Sequence, residues 1–560
     1  MTQPVEGTVP ARQVIRGARV LNVFTGELLP LDVVIEGGRI TGLLPAGEAV
    51  AADAVVDAQG GVLVPGYVEP HAHLSLVAEP VTTLEQLAAR GTTAVVADTY
   101  PWVAVMTDDE FSRLLDDFRR LPVYLRWFLA PHSRSFWPDE ERLFAFERLA
   151  PFLERDDVVA VGEFTRWSQV ERGDPGLLAL IARAQALGKR VEGHSAGASA
   201  ARVMRLAHRG FTSCHEAIDA PQVLDRLRAG LYVMLRHSSL RPDLPQLAPA
   251  VRGELAFSNR VMLTADGPSP PWVAAHGYLD YLIRVAMDAG ISAPAAYRMA
   301  TLNPAMYYRI EHDVGSIAPG RRADVLLLED LHNPTPVWVM AGGRIIARDG
   351  RLTAPFPRIE WERFTGLTRR EGKPPAESLL ASVPRPGEGD VPLLDLAHTV
   401  IIRHGNGADR PLLAMLYDWE GRWMTPAWLT GFAPGLAGFA TNYNPSGQLL
   451  LLGHSPKDMA LAARRVMELG GGLVLTEGGQ VVWELKLERG GFFTEMPWPD
   501  LVAELGRLEA LLRERGYRHS EPLYSLFFLS FDALPDFRLT IRGVWDVKGQ
   551  RPLTPPVHLA

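Results

Sequence analysis

The chain has 560 residues, of which 47% are hydrophobic and 22% charged, with a formal net charge of −8. That is ordinary globular composition at a length for two or three domains, which excludes a disordered protein and a single small domain. The charge carries no basic block and no run of about 18 apolar residues is present, so neither electrostatic nucleic-acid binding nor a membrane span is expected.

The N-terminal stretch "MTQPVEGTVPARQ" lacks the apolar core of a signal peptide. Residues 13–60 then read as short strands separated by turns, with a hairpin at Gly37-Gly38. From about 61 the texture changes. Apolar runs at 61–70, 92–98, 122–130, 157–164, 189–195, 210–216, 230–236 and 260–266 read as eight strands. Helical stretches such as "VTTLEQLAARG", "GLLALIARAQALG" and "APQVLDRLRAG" lie between them. This alternation predicts an α/β fold with a (β/α)8 barrel over 61–310, preferred to a doubly wound open sheet. Short strands return after the barrel, as in "GSIAPGRRADVLLLEDL". A small composite β-domain from 1–60 plus 311–355 accounts for that. Residues 356–390, rich in proline and charge, read as a linker. Residues 391–560 read as a C-terminal α/β or α+β domain, with helices near 455–472 and 501–516. The single cysteine, Cys214, excludes an internal disulfide framework and fits a reducing, cytoplasmic setting.

The strand ends carry the chemistry. His71 and His73 in "GYVEPHAHLSL" are two residues apart on a strand and so share a face. Alone, an H-x-H pair is weak evidence of a metal. The other strand ends supply Glu163 ("VAVGEF"), His194 ("VEGHS"), His215 with Glu216 ("TSCHE") and Asp266 ("LTADG"). In a (β/α)8 barrel these ends meet at one mouth. His71, His73, Glu163, His194, His215 and Asp266 then form a cage for one or two divalent transition-metal ions, with Glu163 the natural bridge if there are two. Structural alternatives stand beside this. Glu163 could pair with Arg166, Cys214 could be a buried filler, and His132, His208, His276, His312 and His332 read as surface or structural. His237, directly after strand seven, is left open.

"PGYVEPHAH", "VGEF", "GHSAG", "CHE", "TADG" and "MATLNPAMYYRIEHDVGSIAPGRRADVLLLED" resemble the amidohydrolase superfamily. "GHSAGASAARVMRLAHRGFTSCHEA" and "PGLAGFATNYNPSGQLLLLGHSPKDMALAARRVMELGGGLVL" are similar to its adenine deaminases, and the likeness runs from about residue 13 to the C-terminus. The chain departs from that family in four places. The Asp-Pro-His-Glu motif after strand two reads "ADTYPWV", leaving Asp98. Asp-Asp after strand eight becomes Asp266-Gly267. Arg-Glu-Gly-Ser after strand seven becomes Arg236-His237-Ser238-Ser239. His-Asp-Ser-His-Asn near the C-terminus becomes "TNYNPSG". The last segment reads as a structural turn in preference to a substrate contact.

The resemblance implies a hydrolase of C–N bonds in cyclic amidines, serving purine salvage. Adenine would be deaminated to hypoxanthine and ammonia, with metal-bound hydroxide attacking C6 and Asp266 as the proton shuttle. Asp266, Glu163 and His215 are the expected catalytic residues. Glu163 would bridge the metals or protonate a ring nitrogen, and His215 would ligate metal or polarise the substrate. Arg236, Ser238 and Glu216 are the expected substrate contacts. The implied metal is manganese(II) or iron(II), with zinc(II) next, and the implied assembly is a homo-oligomer such as a dimer. Deamination of another aminopurine or a pterin is the main alternative. A cyclic-amide hydrolase ranks lower because Glu163 stands where such relatives often use a carboxylated lysine, and a non-catalytic scaffold ranks lower because the ligand set and Asp266 are all present.

Overall fold

The computed structural model describes residues 11–368, 371–405 and 409–559. Most of the stretch read for a signal peptide lies outside them. Among the described residues no helix is long and apolar enough to cross a membrane.

Eight parallel strands carry the central unit: β1 (Tyr67–Ala72), β2 (Thr92–Asp98), β3 (Tyr124–Leu129), β4 (Val158–Phe164), β5 (Arg190–Gly193), β6 (Ser213–Cys214), β7 (Tyr232–Arg236) and β8 (Val261–Thr264). Each pairs with the next, and a bridge between Ala72 and Asp266 brings the last against the first. The result is a nearly closed TIM-like barrel. Its strands are buried on both faces, which is why they read as continuous apolar runs. The helices between them start on identifiable caps. Glu79 accepts from the Thr82 amide ahead of Pro80–Ala89, and Asp174 accepts from Leu177 ahead of Pro175–Ala186.

The run read as one strand over 61–70 is two strands. Val62–Pro65 runs antiparallel to Val325–Leu328 and parallel to Arg19–Leu21, in a ten-stranded sheet drawn from both sides of the barrel. Gly66 is the joint between it and β1. A Cβ there would lie 2.0 Å from Thr93 Oγ1, so only glycine lets the chain pass this close to β2.

Beyond the barrel, residues 356–367 do more than link. Phe356, Trp361 and Phe364 are buried, and Trp361 Nε1 donates to Glu79 Oε1 at 3.0 Å. Residues 393–486 build a largely antiparallel sheet backed by the helix Pro456–Leu469. The helix Trp498–Glu514, the short helix α1 (Pro522–Phe528) and a three-stranded sheet over 537–554 follow. Phe493–Thr494 pairs in parallel with Val77–Ala78 in the loop after β1. The C-terminal region is therefore hydrogen-bonded directly onto the barrel mouth.

Candidate active site

The carboxyl ends of β1, β4, β5, β6 and β8 bring all six expected ligands together as two donor groups. In the first, His71 Nε2 and His73 Nε2 are 3.3 Å apart, and Asp266 Oδ1 lies 3.1 Å from His73 Nε2 and 3.8 Å from His71 Nε2. Glu163 Oε2 is 3.9 Å from His73 Nε2. In the second group, His194 Nδ1 and His215 Nε2 are 3.2 Å apart. Glu163 Oε1 contacts His194 Nδ1 and lies 3.0 Å from His215 Nε2. Each carboxylate oxygen of Glu163 thus faces one group, and both groups have the donor types that hold a divalent ion.

The outer nitrogens of the H-x-H pair are held from behind. His71 Nδ1 meets Glu192 Oε2 at 2.8 Å, and His73 Nδ1 lies 3.3 Å from Asp98 Oδ2. The two Nε2 atoms, 3.3 Å apart, and Asp266 Oδ1 converge on one point. Two imidazole nitrogens and a carboxylate oxygen so placed, each imidazole backed by a second carboxylate, are a donor set that fits a metal ion. The surrounding electrostatics are divided. Burial, aided by His215, holds His71 well below the usual imidazole range. Burial works in the same sense on His73, but Asp266 and Asp98 outweigh it and push it up to about 10. Burial would raise Glu163 and Asp266. His194 and Arg134 outweigh it for Glu163, and His73 and Arg236 for Asp266, so both carboxyls lie well below the usual range. Asp266 also adopts a left-handed backbone, φ +61°, which Asp tolerates better than most residues.

Glu69 was not read from the sequence. It is fully buried and accepts from the His71 amide, from the Thr264 hydroxyl and from the Ala265 amide, tying β1 to β8. Burial pushes its carboxyl up to about 8 against those donors. Glu192 was missed as well. Each stands two residues before a site histidine on or just past the same strand, so the alternation of an extended chain places the pair on the same face. That signal was available in "EPHAH" and "EGH".

Above the donor groups lies a cavity of about 130 Å³. Arg236 and Ser238 reach it, as do Glu216 and Arg134. Arg236 Nη1 is already committed, donating to Glu216 Oε1 and to Asp266 Oδ2, the latter at 2.9 Å. Burial opposes ionisation of Glu216, but Arg236 and the nearby histidines outweigh it and bring it down to about 2. The roof is aromatic and comes from the far end of the chain: Tyr443, Tyr524, Phe527, Phe528 and Phe531. The Tyr524 hydroxyl donates to the Gly267 carbonyl, and Ser269 Oγ donates to Glu521 Oε1 at 2.9 Å, pinning α1 to the loop after β8. The "TNYN" segment is both a turn and a lining element. Asn444 Oδ1 accepts from the Ser446 amide, and Tyr443, Asn444 and Pro445 border the cavity.

The structural alternatives resolve individually. Arg166 pairs with Glu140 and Asp532, and Glu163 is instead 3.3 Å from Arg134 Nη1. Cys214 is buried behind the site, with its Sγ 2.9 Å from Ser195 Oγ and 3.2 Å from Arg226 Nε, so it has polar partners rather than being mere filler. His237 packs near Trp272 and Tyr281, outside the cavity, and burial holds it down at about 4. His132 is buried and donates from Nδ1 to the Ser133 carbonyl at 2.7 Å.

Residues 62–346 match the amidohydrolase family, and residues 403–551 match the adenine deaminase C-terminal domain. A protein of Halalkalibacterium halodurans described as "Putative adenine deaminase" is 33% identical, covering 99% of this chain and 96% of its own. The adenine deaminase of Moorella thermoacetica is 30% identical over 96% and 95% of the two chains. That of Deinococcus deserti is 31% identical over 95% and 93%.

Proposed function

Since the chain belongs to the adenine deaminase family of amidohydrolases, hydrolases of carbon–nitrogen bonds, we propose that it converts adenine and water to hypoxanthine and ammonia. The observation that carries this reading is Glu163 shared between two donor groups directly beneath a cavity that Asp266 borders.

His71, His73 and Asp266 would hold one ion, His194 and His215 a second, and Glu163 both. Manganese(II) or iron(II) is the proposed metal, with zinc(II) next. When bound, such an ion supplies Lewis acidity that brings the pKa of a coordinated water from about 16 towards 7. Asp266 is the proton carrier. It is ionised at neutral pH, is oriented by Arg236, and borders the cavity. In this role it accepts the proton of the attacking water and delivers it to the departing amine at C6. Arg236 keeps Asp266 and Glu216 ionised side by side and fixes their orientation. Ser238 and Glu216 border the space where the ring's acceptor and donor edge would lie. The aromatic roof offers a flat apolar face for a planar heterocycle and excludes water from above it.

A second reading, a different aminopurine or a pterin, is favoured by the departures from the family after strands two and seven, because Asp98 and Ser238 at those places line the cavity. The same reading of the chain carries a cytoplasmic setting and a homodimer. The exposed Phe24 and Phe257 offer apolar surface for association, to be checked by light scattering coupled to size exclusion.

The decisive experiment is ammonia release by manganese-reconstituted protein. Adenine is assayed beside other aminopurines, pterins and cyclic amides. Adenine turnover is expected, reduced by about 10³-fold or more in Asp266→Asn, since loss of a proton carrier costs that order. Release from another amine but not adenine would move the assignment to that substrate. Silence across the panel from metal-loaded protein would overturn the enzyme reading.

A further inference from the structure

Arg134, in the loop after β3, belongs to no expected set. It is 3% exposed and sits between two parts of the donor cage. One arm, Nη2, donates to Asp98 Oδ2 at 2.7 Å. That same oxygen lies 3.3 Å from His73 Nδ1. The other arm, Nη1, donates to the Glu163 carbonyl at 2.8 Å and lies 3.3 Å from Glu163 Oε2. The planar fork therefore spans from the back of a terminal ligand to the shared ligand. The loop is itself fixed, because the Arg134 carbonyl accepts from the Asp532 amide.

We infer that Arg134 is a positioning residue that builds the first donor group, holding His73 through Asp98 with one arm and Glu163 with the other. The inference rests on the two-group metal site proposed above. Asp98 is 2% exposed and would be costly as an isolated buried carboxylate. Paired with Arg134 it remains an acceptor for His73 Nδ1–H, which leaves Nε2 free to bind an ion. The second arm fixes the Glu163 carboxylate so that Oε2 faces the first group while Oε1 faces the second. Among the described residues the hydrogen bonds and ion pairs of this guanidinium reach Asp98 and Glu163 and neither His194 nor His215, so its influence falls on one group more than the other. Lysine cannot reproduce the role fully, since a point charge lacks the fork.

The test is manganese binding to the full chain, read by elemental analysis after equilibrium dialysis over a range of free manganese, with electron paramagnetic resonance of the bound ions. Wild type should bind two ions and give the spectrum of a coupled pair. Arg134→Gln should lower affinity for one ion by about 10- to 100-fold, the usual scale for a partner behind a ligand. At limiting manganese its spectrum should be that of isolated ions. Arg134→Lys should be intermediate, and Asp98→Asn should weaken the same ion. Circular dichroism melts check that each variant folds, and if Arg134→Gln does not, the Lys and Asn variants decide. Wild-type affinity and a coupled spectrum in the folded variants would overturn the inference. So would a rise in KM with kcat and metal content unchanged, which would make Arg134 a substrate contact. Wild type that binds fewer than two ions would instead overturn the two-group site.

Discussion

At the scale of single residues, the barrel separates chemistry from stability by its two ends. Glu163 and Asp266 at the carboxyl ends are each shared among several site groups, while a buried acid at the opposite end is held by two guanidiniums. Asp157 precedes β4 at that opposite end. It is 1% exposed and accepts from Arg119 Nε at 2.8 Å and Arg155 Nε at 2.9 Å. Burial alone would raise its carboxyl, but the two guanidiniums outweigh that and lower it. A lowered folded value means that the stabilisation is complete above the unfolded-chain value near 4. It is lost as pH falls through the folded value beneath that. Asp157→Asn should cost about 1–3 kcal/mol at pH 7, measured by urea unfolding, and the gap to wild type should shrink steadily below pH 4. A gap that stays constant into acid would reject the ionic account. The same residue-scale logic explains what the sequence disclosed. His71, His73, Glu163, His194, His215 and Asp266 were legible because each ends a strand, and strand ends converge whatever the loops do. Arg134 was not legible, because a loop arginine gives no periodic signal and its partners lie on β2 and β4.

At the scale of elements, the eight barrel strands were legible as apolar runs because parallel strands are buried on both faces. The misreading at 61–70 has a steric cause that no local pattern carries. Val62–Pro65 and Tyr67–Ala72 look like one strand until Gly66 is placed against Thr93. Gly66→Ala should therefore destabilise by about 1–3 kcal/mol or more, the range for forcing extra volume into a packed interior. Thr93→Ala in the same chain should recover a large part of that loss in thermal melts, since it removes the atom the new Cβ would strike. No recovery would show that Gly66 is needed for its backbone conformation and not for clearance. The aromatic roof was illegible for a related reason. Phe527, Phe528 and Phe531 read as an ordinary apolar helix end, and only tertiary structure carries them across to the mouth of a barrel that ends more than 200 residues earlier.

At the scale of the whole molecule, the barrel and the region that follows it are joined by more than packing. The strand pair Val77–Ala78 with Phe493–Thr494, the Trp361–Glu79 hydrogen bond and the buried Arg166–Asp532 pair all cross between them. Such cross-links predict one cooperative thermal transition, with calorimetric and van't Hoff enthalpies in agreement. Asp532→Ala should strand a buried guanidinium between Glu140 and the roof and lower or split that transition. An unchanged single transition would mean that Arg166 needs only Glu140.

The two-sided sheet also bears on how the chain is made. Val62–Pro65 is synthesised 260 residues before its partner Val325–Leu328, counting from residue 65 to residue 325. At translation rates of about 5–20 residues per second, that strand waits roughly 10–50 s for its neighbour. The roof arrives later still. Until those segments emerge, the nascent chain presents an apolar edge without that neighbour and a donor cage without its roof.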